Sequence, residues 1–84
     1  MNSSLYVTKV RCDRNDQLMR VWRRFGEGLP VPTSDQLTME VPHGIPAGEW
    51  DGFVECIREM NPDPKEYEGF HWVRCATKEE LNDE

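Results

Sequence analysis

The chain has 84 residues, of which 37% are hydrophobic and 31% are charged, and its formal net charge is −6. This length is enough for one domain and too short for two. Three Trp, three Phe and two Tyr supply a large apolar area in few residues. We therefore expect a single folded domain over residues 1–84, with residues 2–4 and 82–84 frayed.

The cysteine pattern excludes a disulfide framework. Cys12, Cys56 and Cys75 are odd in number and widely spaced. No apolar run is long enough to span a bilayer, and the N-terminus lacks the basic and apolar regions of a signal peptide. We expect free thiols, no membrane partner and a cytoplasmic location, which is the host cytoplasm if the chain comes from a phage.

The first predicted element is a strand over residues 5–12, which are rich in β-branched and aromatic side chains. Strict alternation would place Val10 and Cys12 on one face of this strand, and Val7 and Lys9 on the other.

Residues 13–25 fit a helix that begins with Asp13 as its N-cap. Its apolar residues recur at helical spacing, at Leu18, Val21, Trp22 and Phe25. The alternative is an N-terminal hairpin of residues 5–12 and 18–25 in a four-stranded sheet with one helix. That strand would place Arg24 on the face of Leu18 and Trp22, so the pattern favours the helix.

The middle of the chain predicts loop, strand, loop and helix. Residues 26–36 contain two Gly and two Pro and predict a loop, and residues 37–41 alternate as a short strand. Residues 42–48 predict a second loop. A helix over residues 48–60 follows, with an apolar stripe of Trp50, Phe53, Val54, Ile57 and Met60.

The last predicted strand covers residues 70–75 and carries apolar groups on both faces, which is typical of a central or largely covered strand. An acidic tail occupies residues 77–84. The order β-α-β-α-β predicts an α+β fold, a small two-layer domain with a three-stranded sheet and two helices.

Charge is distributed unevenly along the chain. Residues 1–26 contain six cationic and two acidic residues, a balance of +4, whereas residues 27–84 contain four cationic and fourteen acidic residues, a balance of −10. The two halves either neutralise each other in the fold or form separate basic and acidic faces.

The helix over residues 48–60 carries the candidate binding surface. Asp51, Glu55 and Glu59 recur at i, i+4 and i+8, opposite the apolar stripe, so neighbouring carboxylates lie about 6 Å apart, close to the spacing of backbone phosphates. We expect this row to bind a protein with a basic surface, as a nucleic acid would. The further acidic residues of this predicted surface are Glu49, Asp63 and Glu66.

Two other predicted surfaces complete the set. The proline-stiffened loop places His43 and Ile45 where a partner could contact them. The basic cluster of Arg20, Arg23 and Arg24 could contact nucleic acid, but the negative net charge opposes direct binding to a polyanion.

No motif predicts catalysis. The sequence has no paired metal-ligand spacing, no phosphate-binding loop and no nucleophile motif, so we expect no catalytic residues, no metal and no cofactor. The sequence favours a non-enzymatic protein-binding module, of the kind that phages and mobile elements use to modulate host nucleic-acid-handling complexes. The alternatives are a small nucleic-acid-binding regulator and a thiol- or metal-dependent activity, and the oligomeric state stays open.

Overall fold

The computed structural model describes residues 4–81, which form an α+β fold, as the sequence predicts. Ser4 precedes the first strand, and the other residues predicted to fray, 2, 3 and 82–84, lie outside the described residues. The elements in chain order are β1 (Leu5–Cys12), α1 (Asn15–Phe25), β2 (Thr38–Pro46), α2 (Ala47–Met60), α3 (Pro64–Tyr67), β3 (Phe70–Thr77) and α4 (Lys78–Leu81).

The three strands of residues 4–81 form one antiparallel sheet in the order β2-β1-β3. The prediction of a central or covered position for the last strand is therefore wrong. The central strand is β1, and β3 is an outer strand whose residues from Trp72 to Cys75 are all exposed. Apolar side chains on both faces of β3 gave the opposite indication, because the sequence pattern does not show which elements cover a strand.

A β-bulge at Thr8 corrects the predicted faces of β1. Val7 pairs with Cys75 and Lys9 pairs with Arg74, so Thr8 is an extra residue opposite β3. The bulge restarts the alternation, and Val7, Val10 and Cys12 all become fully buried on the same face. Strict alternation would have placed Val7 on the face opposite Val10.

Both long helices pack on the face of the sheet that carries these buried residues. Leu18 and Val21 of α1 and Trp50 of α2 join the core formed by β1 and β2. The helical prediction for residues 13–25 is confirmed and the hairpin alternative is wrong. The N-cap residue, however, is Arg14 and not Asp13.

Gln17 fixes the beginning of α1 and the approach to β3. It is 1% exposed, and its Oε1 accepts a hydrogen bond of 3.1 Å from the Arg14 backbone N–H. Its Nε2 donates to the Glu68 backbone carbonyl at 3.0 Å. Gly69 lies against this amide at φ +114, where a Cβ atom would meet the Gln17 side chain, so the turn into β3 requires glycine.

The predicted loop over residues 42–48 is wrong, because β2 continues through Pro46 and α2 begins at Ala47. Between the pairs Lys9–Glu40 and Val7–Ile45, β1 advances two residues and β2 advances five, so β2 bulges outward there. Gly44, at φ +82, lies against Tyr6 and permits this path.

None of the helices in residues 4–81 combines the length and the apolar character that crossing a membrane requires.

Candidate protein-binding surface

The acidic surface is built on α2, whose ends are fixed by prolines. Pro46 precedes the helix with φ −52, and Asn61 ends it in an extended conformation, as expected for a residue before Pro62. Trp50 and Ile57 are buried against the sheet. The helix is therefore held by one face, and its opposite face is available to solvent.

The aromatic side chains of the buried side keep α2 at a fixed orientation. Phe53 contacts Phe25 of α1 at a ring-centroid distance of 5.3 Å and Phe70 of β3 at 5.5 Å, both edge to face. Trp50 lies 5.8 Å from Phe53. Edge-to-face packing of this kind adds about 0.5–1.5 kcal/mol per pair beyond area burial. The predicted stripe ends before Met60, which is 66% exposed.

Asp51, Glu55 and Glu59, here called the acidic row, are all exposed on the outer face of α2. Among these three residues, only Glu55 forms an ion pair with another residue of the range 4–81. Its Oε1 lies 3.7 Å from Nε of Arg58, and both side chains are more than half exposed. An exposed pair of this length contributes at most about 1 kcal/mol and leaves the carboxylate accessible. The acidic row therefore keeps most of its negative charge exposed to solvent.

Arg58 connects the acidic row to the segment that follows α2. Its guanidinium carbon lies 4.9 Å from the centroid of the Tyr67 ring, in the geometry of a cation–π contact. This contact joins α2 to α3, on which Glu66 is half-buried. Asp63 is the N-cap of α3 and accepts a hydrogen bond of 3.1 Å from the Lys65 backbone N–H. The structure thus gives Asp63 a local structural role in addition to its charge.

Glu49 does not belong to the acidic row. It lies at the edge of a groove of about 390 Å³ between α1 and α2, with Arg20 and Arg24 on the facing helix. A second cavity of about 430 Å³ shares Arg24 and Glu49 with this groove and extends to His43 and Ile45. The sequence predicted neither cavity, since both depend on how two helices and β2 come together.

The basic cluster is accessible and separate from the acidic row. Arg23 and Arg24 are exposed and Arg20 is half-buried, and Arg24 lies over the Phe25 ring at 5.2 Å. In the part of the chain that the structure describes, no ion pair joins an arginine of α1 to a carboxylate of α2. Among residues 4–81, no lysine or arginine of the first half therefore forms an ion pair with a carboxylate of the second half.

The two residues predicted as loop contacts have different environments. His43 is exposed, whereas Ile45 is 1% exposed and belongs to the core. Both lie in β2, so Ile45 is a packing residue and only His43 presents its side chain to solvent.

One basic surface was missed by the sequence analysis. Lys9 on β1 pairs with Arg74 on β3, and Arg11 pairs with His71, so these side chains share the face of the sheet opposite the helices. Glu40 is the acidic residue opposite Lys9 on β2. The sequence did not show this surface, because Arg74 is distant from Lys9 in the chain and because two register shifts between β1 and β3, at Thr8 and at Val73, determine the face on which Arg74 lies.

The buried thiol of Cys12 is not activated. Burial, together with the nearby Asp13 carboxylate, raises the pKa of Cys12 to about 12, so this thiol stays protonated at neutral pH. His71 Nε2 lies 3.2 Å from Asp13 Oδ1 in an exposed pair. Residues 4–81 contain no group of three or more ligand-type side chains that could bind a metal ion.

Comparison with protein-family models, with curated proteins and with solved structures gives no match for this chain.

Proposed function

We propose that this protein is a non-enzymatic binding module that docks the acidic row of α2 on a basic surface of another protein. The observation that carries the proposal is that Asp51, Glu55 and Glu59 are exposed on one helix face, with a single weak ion pair at Glu55. A merely solubilising helix face would more often alternate acids with lysines at i+4, and this face lacks them.

The partner that fits is a protein with a basic groove that otherwise holds nucleic acid. Carboxylates at i, i+4 and i+8 lie about 6 Å apart along the helix, close to the spacing of backbone phosphates. Docked there, the helix would exclude nucleic acid by occupying its site. This is the action of an inhibitor or modulator, and we propose a phage or another mobile element as the origin and a host nucleic-acid-handling complex as the target.

The test compares two charge-reversal variants of equal net charge. Asp51→Lys with Glu55→Lys reverses the acidic row, and Glu27→Lys with Glu79→Lys reverses two exposed acids elsewhere. Each variant, and the unsubstituted protein, is immobilised and exposed to a lysate of the native host, and bound proteins are quantified by mass spectrometry. Thermal unfolding checks that all three are folded.

We expect the unsubstituted protein and the Glu27/Glu79 variant to capture the same basic, nucleic-acid-binding protein, and added duplex DNA to release it. The Asp51/Glu55 variant should lose at least about tenfold in capture, because several attractive charge pairs become repulsive. If the Asp51/Glu55 variant captures the same proteins in the same amounts, the proposal is wrong.

A further inference from the structure

The outer strand β3 is left uncovered from Trp72 to Cys75, although Phe70 at its beginning packs against Trp50 and Phe53. The helices α1 and α2 pack mainly over β1 and β2, so most of β3 lies outside the helical layer that covers these two strands. Trp72 is 46% exposed and Val73 is 54% exposed. The sequence of β3 is that of a covered strand, yet the described residues leave Trp72 to Cys75 exposed.

The free edge of β3 has fewer of the features that block strand addition than the edge of β2 has, since its own bulge is the single residue Val73. Among residues 4–81 it pairs with β1 alone, so the backbone N–H and C=O groups along its outer edge have no partner strand. Residues 70–77 contain neither proline nor lysine. The other outer strand, β2, contains Pro42 and Pro46 and a large bulge, which make its edge a poor template.

The two faces of β3 differ in chemistry. Trp72 pairs with the buried Val10 and therefore lies on the helix side of the sheet. Arg74 pairs with Lys9, and His71 with Arg11, on the opposite face. A strand added beside β3 would alternate its side chains between an apolar environment and a cationic one.

We propose that the free edge of β3 binds an extended segment of a partner protein in which apolar and acidic residues alternate. The segment's backbone pairs with β3, its apolar side chains pack beside Trp72, and its carboxylates lie beside Arg74, with Lys9 one strand further away on β1. A second copy of this chain fits less well, because two-fold pairing of β3 would bring another Arg74 onto the same cationic face. This surface is distinct from the acidic row and recognises the opposite charge.

The test uses three synthetic octapeptides with a fluorescent label, and anisotropy measures their binding at low salt. The first alternates Val and Glu, the second alternates Val and Lys, and the third has four Val followed by four Glu. The protein variants are Arg74→Glu and its matched control Arg23→Glu, which makes the same charge change on the exposed face of α1.

We expect the Val-Glu peptide to bind at least about tenfold more tightly than either of the other two peptides, because only it offers both charge and alternation. Arg74→Glu should abolish or reverse the preference, and Arg23→Glu should leave it unchanged. The proposal is wrong if the alternating and block Glu peptides bind with equal affinity, or if no peptide binds. It is also wrong if Arg74→Glu and Arg23→Glu reduce the affinity for the Val-Glu peptide equally.

Two further readouts assign the edge to a different occupant and would also overturn the proposal. If sedimentation equilibrium shows a dimer that Trp72→Lys dissociates, the occupant of the β3 edge is a second copy of this chain. If a labelled single-stranded oligonucleotide binds more tightly than the Val-Glu peptide, and Arg74→Glu abolishes that binding, the occupant is nucleic acid.

Discussion

The two outer strands of the sheet share one neighbour and have opposite environments. β2 carries Val41 and Ile45 into the core beneath the helices, whereas β3 exposes four consecutive residues from Trp72 to Cys75. Both sequences contain apolar residues, so composition does not explain the difference. The difference arises because α1 and α2 pack mainly over β1 and β2. The covered half of the sheet supplies stability, and the uncovered half is available for interaction.

The largest expected contrast is in thiol reactivity. Cys12 on β1 is fully buried, and Cys75 on β3 is exposed. We expect Cys75 to react with a thiol reagent at neutral pH more than about a thousandfold faster than Cys12, because Cys12 must wait for opening of the core, at roughly 5 kcal/mol for a domain of this size. Mass spectrometry of labelled peptides measures both rates. Comparable rates at the two sites would show that β3 is covered or that the core is open.

A matched pair of valines should separate the two strands by stability. Val41→Ala removes fully buried methyl groups and should lower the free energy of unfolding by about 2 kcal/mol. Val73→Ala, at a site that is 54% exposed, should change it by less than about 0.5 kcal/mol. Urea unfolding of both variants measures the difference. Equal losses would mean that the strands do not differ in coverage.

The smallest expected effect concerns the ion pair between Arg14 and Asp16 at the beginning of α1. Arg14 donates to Asp16 at 3.0 Å and to the Lys65 backbone carbonyl at 3.0 Å. The hydrogen bond from Arg14 lowers the pKa of Asp16 below its ordinary value of 3.8, so Asp16 adds stability above that pH and the contribution is lost as the pH falls through the lowered pKa.

We expect Asp16→Asn to lower the free energy of unfolding by at most about 1 kcal/mol at pH 7, because the ion pair is exposed. The substitution should have little effect at a pH low enough to protonate Asp16 in the unsubstituted protein. Unfolding measured across the acid range, with the unsubstituted protein as reference, gives both values. A loss that persists undiminished at the lowest pH would exclude the ion pair as its source.

Local patterns predicted most of the elements. The β-branched run of residues 5–12 and the helical spacing from Trp50 to Ile57 identify β1 and α2, because these patterns depend only on neighbouring residues. The N-cap of α1 was mispredicted, since Gln17 provides the reciprocal hydrogen bond and Arg14 takes the cap position.

Long-range features were not predictable from the same patterns. The bulge at Thr8 and the bulge of β2 between Glu40 and Ile45 depend on pairing between distant segments. The acidic row could be read from the sequence because helix geometry alone sets its face. The basic face of the sheet could not, because it requires Arg74 to be placed beside Lys9.

Carboxyl footprinting of the captured complex tests the binding proposal most directly. Asp and Glu side chains are modified with a carbodiimide and an amine, with and without the bound partner, and the modification of each residue is quantified. The account predicts that Asp51, Glu55 and Glu59 lose modification in the complex while Glu27 and Glu79 keep it. Unchanged modification of the acidic row in a saturated complex would contradict the account.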